Sequence, residues 1–415
     1  MHLPSGPLVL SGHQADLWHG GILAKHFASL AIASRTGAQA AWIVVDQDEA
    51  DVLGMRIPIL DATGRLRESR WQWGEGVGRV VSAIAPLTVR NPALKAGETL
   101  AIQSVAEGVH ATAAALTRHA KEANWARQVS AAAADLIGRS APPPRFVYES
   151  RLASTELFQH LLDAFVRGGA DVIRGYNQAV SGTPASGMRL LDEAKGELPL
   201  WDVRGGRRKR VLLADVEKLD RTQVAPRGML MTAILRLAGC DLFVHGIGGG
   251  VYDRATDAWV AGWKGDLETL AKELGGVLAP MAVATANVRL PLAKPGLPTD
   301  EEIRRGVWMA HHAAHDPRAL GDERGAIEKD RILADIRTKK ANHESPASAF
   351  AALHALLATS RQSGAGKLAQ FSEVATRLTE QRGEATLAFD RTWSFALQIR
   401  GEISAMYERV VGEFA

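Results

Sequence analysis

Hydrophobic positions along this chain switch between two periods. Leu8-Val9-Leu10 is a short apolar run that stops at Ser11-Gly12; Ile22, Leu23, Phe27, Leu30 and Ile32 then recur at helix-like spacing, and residues 40–45 (AAWIVV) form an unbroken apolar run. An apolar run without alternation suits a strand buried on both faces. The order strand, glycine turn, helix, strand over residues 7–51 predicts two parallel strands joined by a right-handed crossover, and therefore an α/β sheet. Ligands of such sheets sit beyond the carboxyl ends of the strands, which places SGHQ (11–14) beside DQDE (46–49).

The pattern changes over residues 52–139, where RLRESRWQWGEG precedes alanine-rich helical stretches; this region is expected to be a mostly helical connecting region. Pro142, Pro143 and Pro144 end it, because proline cannot continue a helix. RFVYES (145–150) is expected as a strand, STELFQHLLDAFV as a helix with Ser154 as its N-cap, and ADVIRG (170–175) as a further strand, making a second β-α-β unit. Alternating apolar residues around Gly205-Gly206 predict a β-hairpin over ELPLWDVRGGRRKRVLLAD. MLMTAILRLAG is expected as a helix, CDLFVHG as a buried strand and ATANVRLPL as another.

After about residue 299 only helices are evident. The segments 322–342 and 367–411 are long, charged and amphipathic, and predict an antiparallel hairpin with coiled-coil character. The fold expected is thus a Rossmann-like parallel α/β core (1–51 and 140–298) with a helical insertion (52–139) and a C-terminal antiparallel coiled-coil helical hairpin (299–415).

Composition narrows the class without naming an activity. At 415 residues, 46% hydrophobic and 23% charged, the chain can bury a large core and is neither disordered nor fibrous. A formal charge of +3 argues little for a nucleic-acid partner, and no lysine-rich loop of the tRNA-ligase type is visible. Cys240 is the single cysteine, so no intrachain disulfide forms, and a reducing compartment fits. Neither a signal-peptide pattern nor a stretch of about 20 apolar residues is present, so a cytoplasmic chain without membrane contact is expected.

Three strand-end loops carry candidate chemistry. In LVLSGHQADLWHGGILAKH, Gly12, Gly20 and Gly21 let backbone approach a ligand, the helix start attracts anions, and His13, Gln14 and His19 can donate hydrogen bonds or exchange protons near neutral pH. Asp46, Asp48, Glu49 and Asp51 follow the second strand, where carboxylates suit an amine, a hydroxyl, Mg²⁺ or a proton; a solvated acidic loop is the plainer alternative. In FVHGIGGGVYDR, His245 ends a strand, Gly246, Gly248, Gly249 and Gly250 free the backbone for an anion, and Asp253 opens the next helix. His13, His19, Asp46 and Asp48 are the candidate catalytic residues, and the others line the pocket. No metal site is assigned: His311, His312 and His315 lack the glutamate of a zinc-protease helix and suit a polar helix face. The basic turn Arg204, Arg207, Arg208, Lys209 and Arg210 suits a solvated hairpin, and Cys240 a core position.

The order of these motifs resembles the bacillithiol synthase family, the cysteine-adding enzymes. The residues that carry the resemblance are Gly12, His13, Gln14, Leu17, Trp18, His19 and Gly20 at the first strand end, Trp42, Ile43 and Asp46 to Glu49 at the second, Gly205 to Arg208, Ala225-Pro226-Arg227, FVHGIGGG and the long C-terminal helices. Glutamine and threonine stand in the family where His13 and His19 stand here, and a glutamate where this chain has glycine near Gly249. The resemblance implies a nucleotidylyl-transferase-like core, a small-molecule substrate such as cysteine or another amino compound joined to a sugar-amine-like acceptor, ATP or ADP and Mg²⁺ as candidate cofactors, and a homodimer through the C-terminal helices. A catalytically silent nucleotide-binding or coiled-coil scaffold protein is the alternative of a different class.

Overall fold

The structure is a computed structural model and describes residues 3, 5–50, 54–73, 79–84 and 99–414; Asp51 lies outside them. The chain divides into two compact units, one made of Met1–Gly64, Glu68–Leu290 and Arg391–Ala415, the other of Arg65–Arg67 and Pro291–Asp390.

In the first unit, β1 (Leu8–Gln14), α1 (Gly20–Thr36) and β2 (Gln39–Val45) follow one another as the hydrophobic pattern predicts. Short strands β3 (Glu49–Ala50), β4 (Gly54–Leu60), β5 (Leu66–Gln72) and β6 (Val80–Val81) come next, then α2 (Gln103–Arg118) and α3 (Trp125–Ile137). The connecting region expected to be mostly helical therefore carries strands in its first half. Arg56, Arg67 and Arg70 are the reason the pattern there is hard to see, since alternation is legible only as Met55, Ile57 and Ile59 facing inward.

β7 (Phe146–Tyr148) leads into α4 (Glu156–Gly182), capped by Thr155 rather than Ser154, its hydroxyl accepting from the N–H of Phe158 at 3.3 Å. The strand expected at residues 170–175 does not exist. Val172, Ile173, Tyr176, Ala179 and Val180 continue the buried stripe begun by Phe158, Leu161, Leu162 and Phe165, so one helix of 27 residues spans both. Gly168 kinks it without ending it, with φ −118° and ψ 19°.

The basic segment folds as expected into a hairpin of β8 (Glu197–Asp202) and β9 (Lys209–Leu212), and Gly205 and Gly206 hold φ angles of 71° and 78°. β10 (Val224–Pro226) joins the other side of β8. Then come α5 (Gly228–Ala238), β11 (Leu242–His245), α6 (Ile247–Ala261), α7 (Asp266–Glu273) and β12 (Met281–Val283). The strand expected over ATANVRLPL (284–292) does not form; β12 ends at Val283, just before it.

Five strands, all parallel, form the central sheet in the order β12-β11-β1-β2-β7. Ranked by their place in the chain they run 5-4-1-2-3, the doubly wound Rossmann-like order, and the winding reverses between β1 and β11. The side chains of Leu8, Leu10, Ile43, Phe158, Phe165, Leu230 and Trp259 belong to the main core on one face. On the other face α1 buries Leu23, Phe27 and Ala28, each of the two larger residues adding roughly 1.5–3 kcal/mol by its removal from water.

The second unit is helical: α8 (Asp300–Ala313), α9 (Pro317–Leu320), α10 (Glu323–Ala341), α11 (Ala347–Ser363) and α12 (Ala365–Ala388). α10 returns on itself as α11 through a five-residue connection, and Ile332, Ile336 and Ala349 form the seam. α12 packs along α8. The pairing expected between segments 322–342 and 367–411 is thus replaced by two neighbouring pairs, and the second segment is not one helix. After Ala388 the chain leaves helical geometry at Phe389 and inserts Trp393, Phe395 and Leu397, all nearly inaccessible, into the first unit; α13 (Arg400–Gly412) then packs on α1. The boundary expected at 299–415 therefore runs about 25 residues too far, because an apolar WSFAL run was read as part of an amphipathic helix. No helix among the described residues is long and apolar enough to cross a membrane.

Candidate functional site

At the winding reversal of the sheet, the ends of β1 and β11 open onto a cavity of about 740 Å³. It is lined by residues of the first unit alone, among them Gly12, His13, Gln14, His19, Gly21, Asp48, His245, Gly246, Gly248 and Gly249 from the three strand-end loops that the sequence singles out. The register explains the meeting: Gln14 pairs with Val45 and Ser11 with Val244, so the loops after β1, β2 and β11 leave the sheet side by side.

Each loop is built for close approach. Gly12 faces Ile43 so tightly that a Cβ would overlap its side chain, and Gly249 faces His245 so tightly that a Cβ would strike Nδ1. His19 caps α1, its Nδ1 accepting from the N–H of Gly21 at 3.1 Å, which fixes that nitrogen as the unprotonated one. α5 and α6 start without a side-chain cap, at Arg227 and Gly246. Gly228, Met229, Ile247, Gly248 and Gly249, in the first turns of these two helices, all line the cavity, as do Gly21 and Ile22 of α1. Two uncapped helix N-termini, those of α5 and α6, thereby offer N–H groups without intrahelical acceptors to one space, while the first N–H groups of α1 that line it are taken by His19.

His245 is held from behind. Its Nε2–H donates to Oδ2 of Asp253 at 3.1 Å, and the same carboxylate oxygen accepts from Nη1 of Arg236 at 2.7 Å. Arg236 in turn bonds the carbonyl of Ala279 at 2.7 Å and pairs with Asp257 at 2.8 Å. Asp253 is fully buried and does not line the cavity; it orients the imidazole. Tyr252 stands edge-on to His245, shares a hydrogen bond of 2.8 Å with Thr232, and burial pushes its hydroxyl up to about 12.

Three further departures from the sequence reading have local causes. Asp46 is buried off the cavity and accepts from the N–H and hydroxyl of Ser150 at 2.8 and 2.6 Å, so it anchors the turn after β7; burial raises its pKa. Gly20 packs against Val288 and Gly250 against Val283, where an added Cβ would stand only 3.1 and 2.5 Å from the valine side chains; neither lines the cavity. Asp48 does reach it, paired with Nη1 of Arg208 at 2.7 Å.

That arginine belongs to the hairpin expected to be solvated. Its Nε donates to the carbonyl of Gln47 at 2.8 Å and its backbone N–H to Glu49, which locks the basic turn onto the loop after β2. Arg208 and Arg227 both stand over the ring of Trp201, at 5.5 and 3.9 Å, a cation–π arrangement. Buried Glu197 holds Arg227 at 2.6 Å and Arg189 at 3.3 Å, while Nε of Arg227 has no partner among the described residues. Arg189, Trp201, Arg208 and Arg227 all line the cavity.

Its titratable groups are shifted by burial. His13 falls to about 3, through desolvation first and then the neighbouring charges of Lys25 and His19, so its imidazole is neutral at pH 7; its buried Nδ1 has no hydrogen-bond partner among the described residues. Lys25 falls to about 7 by desolvation; its Nζ donates to the carbonyl of Gly12 and stands 5.0 Å from the centre of the Trp42 ring. Glu149 rises to about 8, again chiefly by desolvation and then by the charge of Asp46, and its Oε2 has no hydrogen-bond partner among the described residues. It is therefore mostly protonated at neutral pH. The cavity is thus lined by a neutral imidazole, an amine lowered to about 7 and a carboxyl raised to about 8, the last two near enough to neutral pH to exchange protons.

Lys25 and Glu149 escape sequence reading. The lysine sits within a run of helix formers with nothing to mark its depth, and the glutamate follows an ordinary strand. Among the described residues no group of three or more histidine, cysteine, aspartate or glutamate side chains is arranged to hold a metal. His312 instead pairs with Asp316 at 3.1 Å and stacks on Trp308, and Cys240, its thiol pushed up to about 12 by burial, donates to the carbonyl of Leu235. No protein-family model matches the chain, and no characterised protein is similar to it in sequence.

Proposed function

We propose that this chain is an enzyme of the bacillithiol synthase type, joining cysteine or another amino compound to a small sugar-amine-like acceptor. One observation carries the reading: at the reversal point of a parallel sheet, His13, Lys25 and Glu149, each shifted toward its neutral form by burial, line one cavity with the uncapped N-termini of α5 and α6. An amine attacks a carbonyl carbon only when unprotonated, and His13, a neutral imidazole near pH 7, can orient it by accepting a hydrogen bond. Glu149 can donate to the departing oxygen. The first turns of α5 and α6, with Arg189 and Arg227, suit the carboxylates or phosphates of such substrates.

ATP or ADP fits the same crevice as a candidate cofactor, with its phosphates at the glycine loop of Gly246 to Gly249. Mg²⁺ would arrive on those phosphates, since Asp48 is committed to Arg208. In the same reading the helical second unit supplies a homodimer contact, and sedimentation of the full chain as a monomer would remove that part.

Calorimetric titration with ADP, ATP, cysteine and glucosamine compounds tests the site, with mass spectrometry to detect the condensed product. Binding of at least one compound, weakened tenfold or more by the combined His13→Ala and His19→Ala changes, is expected. Unchanged affinity in that double variant would show that the ligands bind elsewhere.

A further inference from the structure

Lys25 is a buried amine that makes no ion pair among the described residues, although Asp48, paired with Arg208, and Glu149 also line the cavity. Only about 5% of the residue is exposed, yet it lines the cavity, and among the described residues its Nζ has one hydrogen-bond partner, the carbonyl of Gly12, and no carboxylate partner. Its stem passes beneath the start of α6, the Cδ lying 3.8 Å from where a Cβ on Gly246 would stand. Burying an ammonium without a carboxylate is costly, and that cost is removed when the amine is neutral and nucleophilic. This is the environment in which lysines form carbon–nitrogen double bonds with carbonyl compounds.

The surroundings restrict what could reach it. The N–H groups of Ile247, Gly248 and Gly249 open the helix above the stem, and Arg227, which lines the same cavity, has a buried Nε donor with no partner among the described residues. Both favour a ligand that carries an anionic group as well as its reacting carbon.

We propose that Lys25 binds its ligand covalently: its ε-amine forms an imine with a small aldehyde or ketone that also bears a phosphate or carboxylate. The lone pair of the neutral nitrogen attacks the carbonyl carbon, the carbonyl π electrons move to oxygen, and the proton that the nitrogen sheds passes to that oxygen, which gives a neutral carbinolamine. Loss of that hydroxyl as water, with a proton supplied by the Glu149 carboxyl, leaves a protonated imine; nothing is oxidised or reduced. The inference rests on the cavity and not on the condensation proposed above.

Reductive trapping of the full-length protein tests it. Glyoxylate, glycolaldehyde phosphate and neutral glycolaldehyde are each added with cyanoborohydride, and the modified lysines are mapped by peptide mass spectrometry. Saturable labelling of Lys25 is expected, at least tenfold faster with the two anionic aldehydes than with the neutral one, competed by inorganic phosphate, and absent from Lys25→Arg. Because the wild-type map is itself decisive, a variant that fails to fold does not blunt the test. Labelling spread over surface lysines with Lys25 unmodified, or phosphate binding without any adduct at Lys25, overturns the proposal. Neither result touches the double-histidine titration, so the two readings fail separately.

Discussion

Oδ2 of Asp253 lies 3.1 Å from Nε2 of His245 and 2.7 Å from Nη1 of Arg236, so a single buried carboxylate oxygen orients an imidazole and neutralises a guanidinium. The imidazole's other nitrogen is thereby aimed at Gly249 and the start of α6.

Asp253→Asn tests that arrangement. It keeps the volume but removes the charge that Arg236, only 4% exposed, requires. Loss of one partner from a buried pair typically costs about 3–5 kcal/mol, so the denaturant midpoint should fall without a change in slope. A loss below about 1 kcal/mol would mean that Asp257 alone satisfies Arg236.

Gly249→Ala makes the complementary demand from the cavity side. The added methyl cannot coexist with the His245 ring in its present rotamer, so either the ring leaves Asp253 or α6 shifts. A destabilisation of about 1–3 kcal/mol is expected, with a changed His245 imidazole resonance by NMR. An unaltered resonance contradicts the packing described.

His19 has a structural role that one substitution can separate from any chemical one. His19→Ala should cost about 0.5–2 kcal/mol by leaving the Gly21 N–H without its acceptor, whereas His19→Asn should restore most of this. If thermal melts rank the two variants equally, the cap is not what holds the start of α1.

Glu149 gives a pH signature. Its pKa is about 8 in the folded chain against an ordinary 4.5, so between those values the folded state holds the proton that the unfolded state has released. Its contribution to stability therefore declines as pH rises from about 4.5 to 8 and is fully unfavourable above that range. Glu149→Gln, which mimics the protonated carboxyl, should be the more stable protein at pH 8 by an amount on the order of a few kcal/mol and should lose this part of the slope. Chemical denaturation at pH 5, 6.5 and 8 reads both. Equal slopes for the two proteins would show that Glu149 is ionised when folded.

Much of the first unit was legible because its signals are local. Glycine at Gly12, a cap at His19 and an apolar run over 40–45 act within a few residues, and they suffice for strand, turn, helix and strand in that order. The same locality misled at residues 170–175, where β-branched residues read as a strand continue the buried face of α4, and at Trp393 to Leu397, where a helical pattern hides a segment that packs into the distant first unit.

The sequence by itself determined that three glycine- and histidine- or aspartate-bearing loops end strands, and so that a parallel sheet would bring polar groups to one edge. Only the tertiary structure decided which of them face the cavity. It turned Asp46 toward Ser150 and Asp253 behind His245, and it drew in Arg208 from a hairpin more than 150 residues away in sequence. It also buried Lys25 and Glu149, and with that decided their charge. The physical reason is desolvation: a side chain's protonation follows from the water removed around it, and that removal is the work of elements far apart along the chain.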